Sequence, residues 1–122
     1  MDEIVTLKKN KEFKRIYFRG KSCVSSVIVT YAIKNRKNIT RVGITTSKKV
    51  GNAVTRNRAR RVILAAYREL LPDVKSGFDI VFVARARTPL VKTQNILNYM
   101  KKHLEKLNVV WYFMITYFMY NM

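Results

Sequence analysis

Residues Ser47 to Leu70 read SKKVGNAVTRNRARRVILAAYREL, a cationic loop that runs without a break into an amphipathic pattern. The first part, Ser47 to Arg61, holds six cations and no anion around a single glycine. Ala59, Val62, Ile63, Ala66, Tyr67 and Leu70 then recur at i, i+3, i+4, i+7, which predicts a helix from about Ala53 to Leu70 with one buried stripe. Asn52 is the expected N-cap, and Gly51 permits the tight turn before it. At roughly 100° per residue, Arg56, Arg60, Arg61 and Arg68 fall together on another sector with Asn57 among them. Pro72 and Asp73 stop the helix.

Outward from this helix the pattern changes period. Val27 to Ile33 (VIVTYAI) is short and β-branched and reads as a strand. Asn35 to Asn38 is a turn, and Arg41 to Thr46 (RVGITT) returns as a second strand, so the pair is expected to form a hairpin. Ile80 to Ala84 (IVFVA) reads as a strand buried on both faces. Upstream, Asn10 is the expected cap of a first helix carrying Phe13, Ile16 and Tyr17, closed by Gly20. Downstream, Thr88 and Pro89 break the chain before a last helix through Ile96, Leu97, Met100, Leu104 and Leu107. The predicted order is α-β-β-α-β-α, with a short additional strand near Lys21 to Val24. The fold class is a two-layer α/β (α+β) sandwich.

The chain has 122 residues, enough for one domain with a modest core. Its apolar fraction of 48% excludes a disordered basic tail. The formal net charge is +18, with no Asp or Glu from Phe13 through Arg68 and fifteen Lys or Arg in that span. A polyanion is the natural partner for such a field. The lone Cys23 excludes an internal disulfide, fits a reducing compartment and reads as a small semi-buried residue. The N-terminus MDEIVTLKK lacks the apolar run of a secretory signal. Residues 1–108 therefore read as one nucleic-acid-binding domain, followed by an apolar aromatic tail, 109–122 (VVWYFMITYFMYNM). That tail is shorter than the ~20 residues a helix needs to span a bilayer, and no membrane role is expected.

Catalysis by the protein is not expected. Its seven acids are scattered, with no tight pair for acid–base or two-metal work. His103 sits beside Lys101 and Lys102 and reads as a solvent-facing helical residue without a nucleophile or acid partner. One His and one Cys eighty residues apart make no metal site. The basic helix is different from an ordinary solvated face, because such faces mix signs to gain i, i+4 pairs and this one is cationic until Glu69. Arginine forks clamp phosphate and stack on bases, and an exposed helix N-terminus adds N–H donors. Phe13, Tyr17 and Tyr31 form a second constellation, interleaved with Lys14, Arg15, Arg19 and Lys21. Aromatic faces between cations suit single-stranded nucleic acid.

These residues resemble a known family. SKKVGNAVTRNRARR, followed by an apolar-striped helix, is similar to the RNR signature of the bacterial ribonuclease P protein component. Leu7-Lys8-Lys9, then Phe13 and Tyr17 before Gly20, match its N-terminal pattern, and DIVFVAR at Asp79 to Arg85 fits as well. The resemblance covers roughly residues 5–108. It implies a small protein partner of a catalytic RNA that removes the 5′ leader of precursor tRNA, in the bacterial cytoplasm, with magnesium bound mainly by the RNA. It also implies a left-handed βαβ crossover, an exception to the usual rule. Carried over by position, Lys48, Lys49, Asn52, Arg56, Asn57, Arg58, Arg60, Arg61 and Arg68 would face the RNA subunit. Phe13, Tyr17 and Tyr31, with Arg15 and Arg19, would hold the leader. No small-molecule substrate is implied. The uncharged Trp111-to-Met122 segment departs from the polar or basic ends common in the family. A structural ribosomal-type RNA-binding protein is the alternative reading; it shares the charge but leaves the aromatic groove without a use. A transcription factor lacks a preceding helix at helix-turn-helix spacing.

Overall fold

The computed structural model describes residues 4–111. It places β1 (Val5–Thr6), α1 (Asn10–Arg19), β2 (Lys21–Val24), β3 (Ile28–Lys34), β4 (Arg41–Thr45), α2 (Ala53–Leu70), β5 (Phe78–Ala84) and α3 (Thr93–Lys106) along the chain. The bounds of α2 and the short strand β2 agree with the sequence reading. β1 is an addition, too short to show a period. α1 begins at Asn10, so the cap is Lys9 and not Asn10; the Glu12 carboxylate accepts from the Lys9 backbone N–H at 3.3 Å.

One five-stranded sheet runs in the order β1-β4-β5-β3-β2. β5 lies between β3 and β4, antiparallel to β3 and parallel to β4. The expected β3–β4 hairpin therefore does not form; the two strands are neighbours in sequence but not in the sheet. The reason is burial. β5 has apolar residues on both faces, and a central position covers both. Local signals for a turn between two strands are the same whether or not a third strand enters between them. The β4–α2–β5 segment becomes a parallel crossover with the basic helix as its connection.

Alternation along β5 divides the interior. Ile80, Phe82 and Ala84 join a large core with Ala59, Ile63, Ala66, Tyr67 and Leu70 of α2 and Ile96, Met100 and Leu104 of α3. Val81 and Val83 point the other way, into a smaller cluster with Leu7, Ile16 and Phe13. The sandwich of sheet and α2–α3 thus carries a partial third layer, α1. His103 is buried in the large core side and not exposed to solvent: its Nδ1 lies 2.8 Å from the Thr30 hydroxyl of β3. It falls seven residues after Ile96, on the buried stripe, and the flanking lysines obscure that phase. Val109 and Val110 are also core residues, and Val74 bridges to Val110. The body thus extends past 108, whereas residues 112–122 of the expected tail lie outside the described residues.

A charged network ties the α1 side together. The fully buried Asp79 at the start of β5 receives Arg41 bidentately, at 2.9 and 2.7 Å, and Asn35 at 2.8 Å. Arg41 also pairs with Glu12 of α1. Asn35 follows β3 and Arg41 opens β4, so one carboxylate pins β5 between its two neighbours. Burial alone would raise the pKa of Asp79, but the hydrogen bonds from Arg41 and Asn35, with the charges of Arg41 and Arg15, outweigh it and hold the group below its ordinary value.

Candidate nucleic-acid interface

The basic segment is built around a buried anchor. After β4, Ser47 Oγ accepts from the Lys49 N–H, and a single 3-10 turn buries Val50 while leaving Lys48 and Lys49 exposed. Gly51 follows at φ +145°, where a Cβ would lie 2.9 Å from the Thr55 side chain. No other residue type takes that turn without strain. Asn52 then caps α2, its Oδ1 accepting from the Thr55 N–H at 2.9 Å. The first turn carries no acid, so the positive end of the helix is left for an external anion.

Along α2, Asn57, Arg58, Arg61 and Arg68 are exposed and Arg56 is half-buried. The Arg56 Nε is shielded and finds no acceptor in the protein among the described residues. Arg60 has a different task. Leu7 N–H takes the Val42 carbonyl at 2.9 Å on the outer edge of β4. Two residues on, where β1 has ended, the Ile44 carbonyl faces the same edge, and Arg60 donates to it at 2.9 Å and to Thr46 Oγ1 at 3.3 Å. Arg60 thus seals a sheet edge as well as carrying charge.

The three aromatics do assemble. Tyr17 meets Tyr31 edge to face at 5.0 Å and Phe13 at 6.5 Å between centroids. Phe13 is half-buried and packs on Gly43, where a Cβ would come within 2.5 Å of its ring. Tyr17 keeps 38% exposure, and its hydroxyl donates to Thr45 Oγ1 at 3.1 Å. Burial raises the Tyr17 pKa, with the Thr45 bond opposing. Asn10, Phe13, Lys14 and Tyr17 from α1, with Ile44, Thr45, Thr46 and Arg60, line a groove of about 440 Å³. Arg60 therefore belongs to both surfaces: the basic helix and the aromatic groove meet at one sheet edge.

The ribonuclease P family model matches residues 1–108 of this chain. The chain belongs to the ribonuclease P protein family. It is a protein subunit of ribonuclease P, the ribonucleoprotein enzyme of tRNA processing, and its partners are RNA. The ribonuclease P protein component of Clostridium botulinum (strain Loch Maree / Type A3) is 52% identical over 80 residues, covering 65% of this chain and 72% of its own. That of Thermoanaerobacter sp. (strain X514) is 40% identical over 104 residues, covering 85% and 90%. The solved Staphylococcus aureus RNase P protein superposes with a TM-score of 0.78 at 32% identity, covering 89% of this chain and all of that one.

Two of the cations expected beside the aromatics lie outside the groove that Phe13 and Tyr17 line. Arg15 leans on Asp79 at 3.6 Å and on the Lys34 carbonyl at 3.5 Å, and Arg19 lines a separate concavity with Lys21 and Phe78. Asn10, Lys14, Thr45 and Thr46 complete the groove around Tyr17. The helical half of that set was legible: Asn10, Phe13, Lys14 and Tyr17 stand at i, i+3, i+4, i+7. Thr45 and Thr46 come from a strand end and have no local signal. No helix among the described residues is long and apolar enough to cross a membrane.

Proposed function

We propose that the exposed face of α2 and the loop before it bind the ribonuclease P RNA, and that the Phe13–Tyr17–Tyr31 groove holds the 5′ leader of precursor tRNA. The observation that carries this reading is Arg60, which joins the cationic helix to the aromatic groove and makes one continuous path for a polyanion. Single-stranded RNA leaving the catalytic RNA along α2 would pass directly over Tyr17, where each stacked base contributes about 1–3 kcal/mol. The RNA carries out cleavage in the bacterial cytoplasm, and the protein supplies charge and orientation. In this reading magnesium belongs mainly to the RNA, and of the protein's carboxylates Glu12 and Asp79 are turned onto Arg41.

Reconstitution with ribonuclease P RNA at low magnesium tests the reading. The protein should stimulate precursor-tRNA cleavage and cleave nothing alone; RNA-free protein whose cleavage is abolished by one of its own point mutations would refute it. Alanine at Arg56 or Arg61 should each lower the slope of log K against log salt by about 0.7–0.9. Folded variants with an unchanged slope would mark that sector as solvated only.

A further inference from the structure

A second groove lies on the α2–α3 side of the sheet. Asn95, Asn98, Tyr99 and Lys102 stand at i, i+3, i+4, i+7 on the outer face of α3, and Arg87 from the loop after β5 closes one side over Val91, enclosing about 350 Å³. That is near the lower end of the range for ligand sites, roughly 300–1,000 Å³. No Asp or Glu occurs between Asp79 and Glu105. Arg87, Asn95, Asn98, Tyr99 and Lys102 make no side-chain hydrogen bond or ion pair among the described residues. Tyr99 is 36% accessible and lines the same groove as the two cations.

The composition repeats that of the first groove. Asn10, Phe13, Lys14 and Tyr17 use the same helical spacing, the same asparagine, lysine and aromatic types, and an arginine brought in from another element. A face that is only solvated gains from mixed charges and needs neither a concavity nor an aromatic ring in it. Cations flanking an exposed aromatic are the elements that hold a phosphate and stack a base. The two grooves differ in their side of the sheet: Tyr17 is on the α1 side, whereas Tyr99 is on the α2–α3 side with the exposed arginines of α2.

We infer that the Arg87–Tyr99–Lys102 groove is a second RNA-binding site, which takes an unpaired nucleotide of the ribonuclease P RNA. Tyr99 stacks the base, Arg87 and Lys102 hold flanking phosphates, and Asn95 and Asn98 reach the base edge. The inference rests on the reading that α2 docks the RNA subunit, because the groove shares that side of the sheet and is turned from the leader path.

The test uses the full chain with ribonuclease P RNA, measuring Kd across a salt series for Tyr99→Ala and for Arg87→Ala/Lys102→Ala, with Arg61→Ala alongside. Tyr99→Ala should weaken binding by roughly five- to a hundredfold. The double variant should lower the salt slope by about 1.4–1.8, two phosphate contacts. Wild-type Kd and slope in both groove variants, with the expected loss in Arg61→Ala, would overturn the second site alone; no change in any variant would overturn the docking reading beneath it. If the groove variants keep RNA-subunit affinity but weaken precursor-tRNA binding to the holoenzyme, or lose self-association in sedimentation, the groove serves tRNA or a second copy and the inference is wrong. Thermal melts at wild-type values are the control, and none of the three side chains supports the core.

Discussion

The two sides of the sheet are held by different physics. On the α2–α3 side, three elements bury a continuous apolar core with Phe82 and Tyr67 in ring contact at 5.7 Å. On the α1 side, the buried apolar cluster among the described residues is Leu7, Ile16 and Val81, and a carboxylate–guanidinium network around the buried Asp79 supplies the fixed geometry. A thin apolar layer leaves the rings of Phe13, Tyr17 and Tyr31 partly open, which a thick core would have covered. The charged network holds α1 in position without covering them. The side with the thinner core is the side that carries the Phe13–Tyr17 groove.

The largest expected effects come from cutting each side at its centre. Phe82→Ala should cost about 3–5 kcal/mol through the cavity it leaves. Arg41→Ala should cost up to about 3–5 kcal/mol for another reason: it removes the bidentate partner of the buried Asp79 and leaves it only Asn35 and the longer Arg15 contact. Urea midpoints measure both, and a second change separates them. Replacing Arg41 and Asp79 together by Met and Leu should recover part of the Arg41 loss, because it removes the fully buried charge and leaves only the partly exposed Glu12 and Arg15 without these partners. A double variant as unstable as Arg41→Ala would show that the α1 side depends on the ion pair itself.

An intermediate effect sharpens the contrast at the groove. Gly43→Ala drives a methyl into the Phe13 ring and should destabilise by about 1–3 kcal/mol. Because Phe13 stands beside Tyr17, the displaced ring should also reduce the holoenzyme's preference for precursor over mature tRNA. Tyr17→Ala removes stacking without disturbing the core, and should lower precursor affinity roughly five- to a hundredfold with mature tRNA nearly unaffected. Full precursor preference in a folded Tyr17→Ala/Tyr31→Ala protein would make these rings packing residues.

The smallest effect is a pH dependence. Burial lowers the pKa of His103, with Lys106 adding to it, so the folded protein binds this proton less readily than the unfolded chain. Stability is then fully present above the unfolded value near 6.5 and falls as pH drops below it. His103→Gln keeps a partner for Thr30 without titrating, and its urea midpoint should stay flat between pH 8 and 5 where the wild type declines. On the α1 side the corresponding window is acidic. Glu12 sits below its ordinary value: burial opposes this, and the Lys9 backbone bond with the Arg41 charge prevails. Asp79 is lowered as well, so the network's contribution is present above about pH 4 and lost below it.

What was legible in the chain was whatever repeats locally. The helical stripe from Ala59 to Leu70, the Asn52 cap, the strand β2 and the cationic sector of α2 follow from spacing and residue type, because helix phase and capping are set within a few residues. Phe13, Tyr17 and Tyr31 could be named from the sequence as one constellation. The meeting of Phe13 and Tyr17 with Thr45 and Arg60 could not, since it requires α1 to pack over a sheet whose β4 lies two strands from β3. The entry of β5 between β3 and β4, the burial of His103 against Thr30, and the turning of Arg15 onto Asp79 likewise join residues dozens of positions apart. Such contacts form only when burial in a shared core outweighs the local preference of each segment, and that balance belongs to the tertiary structure.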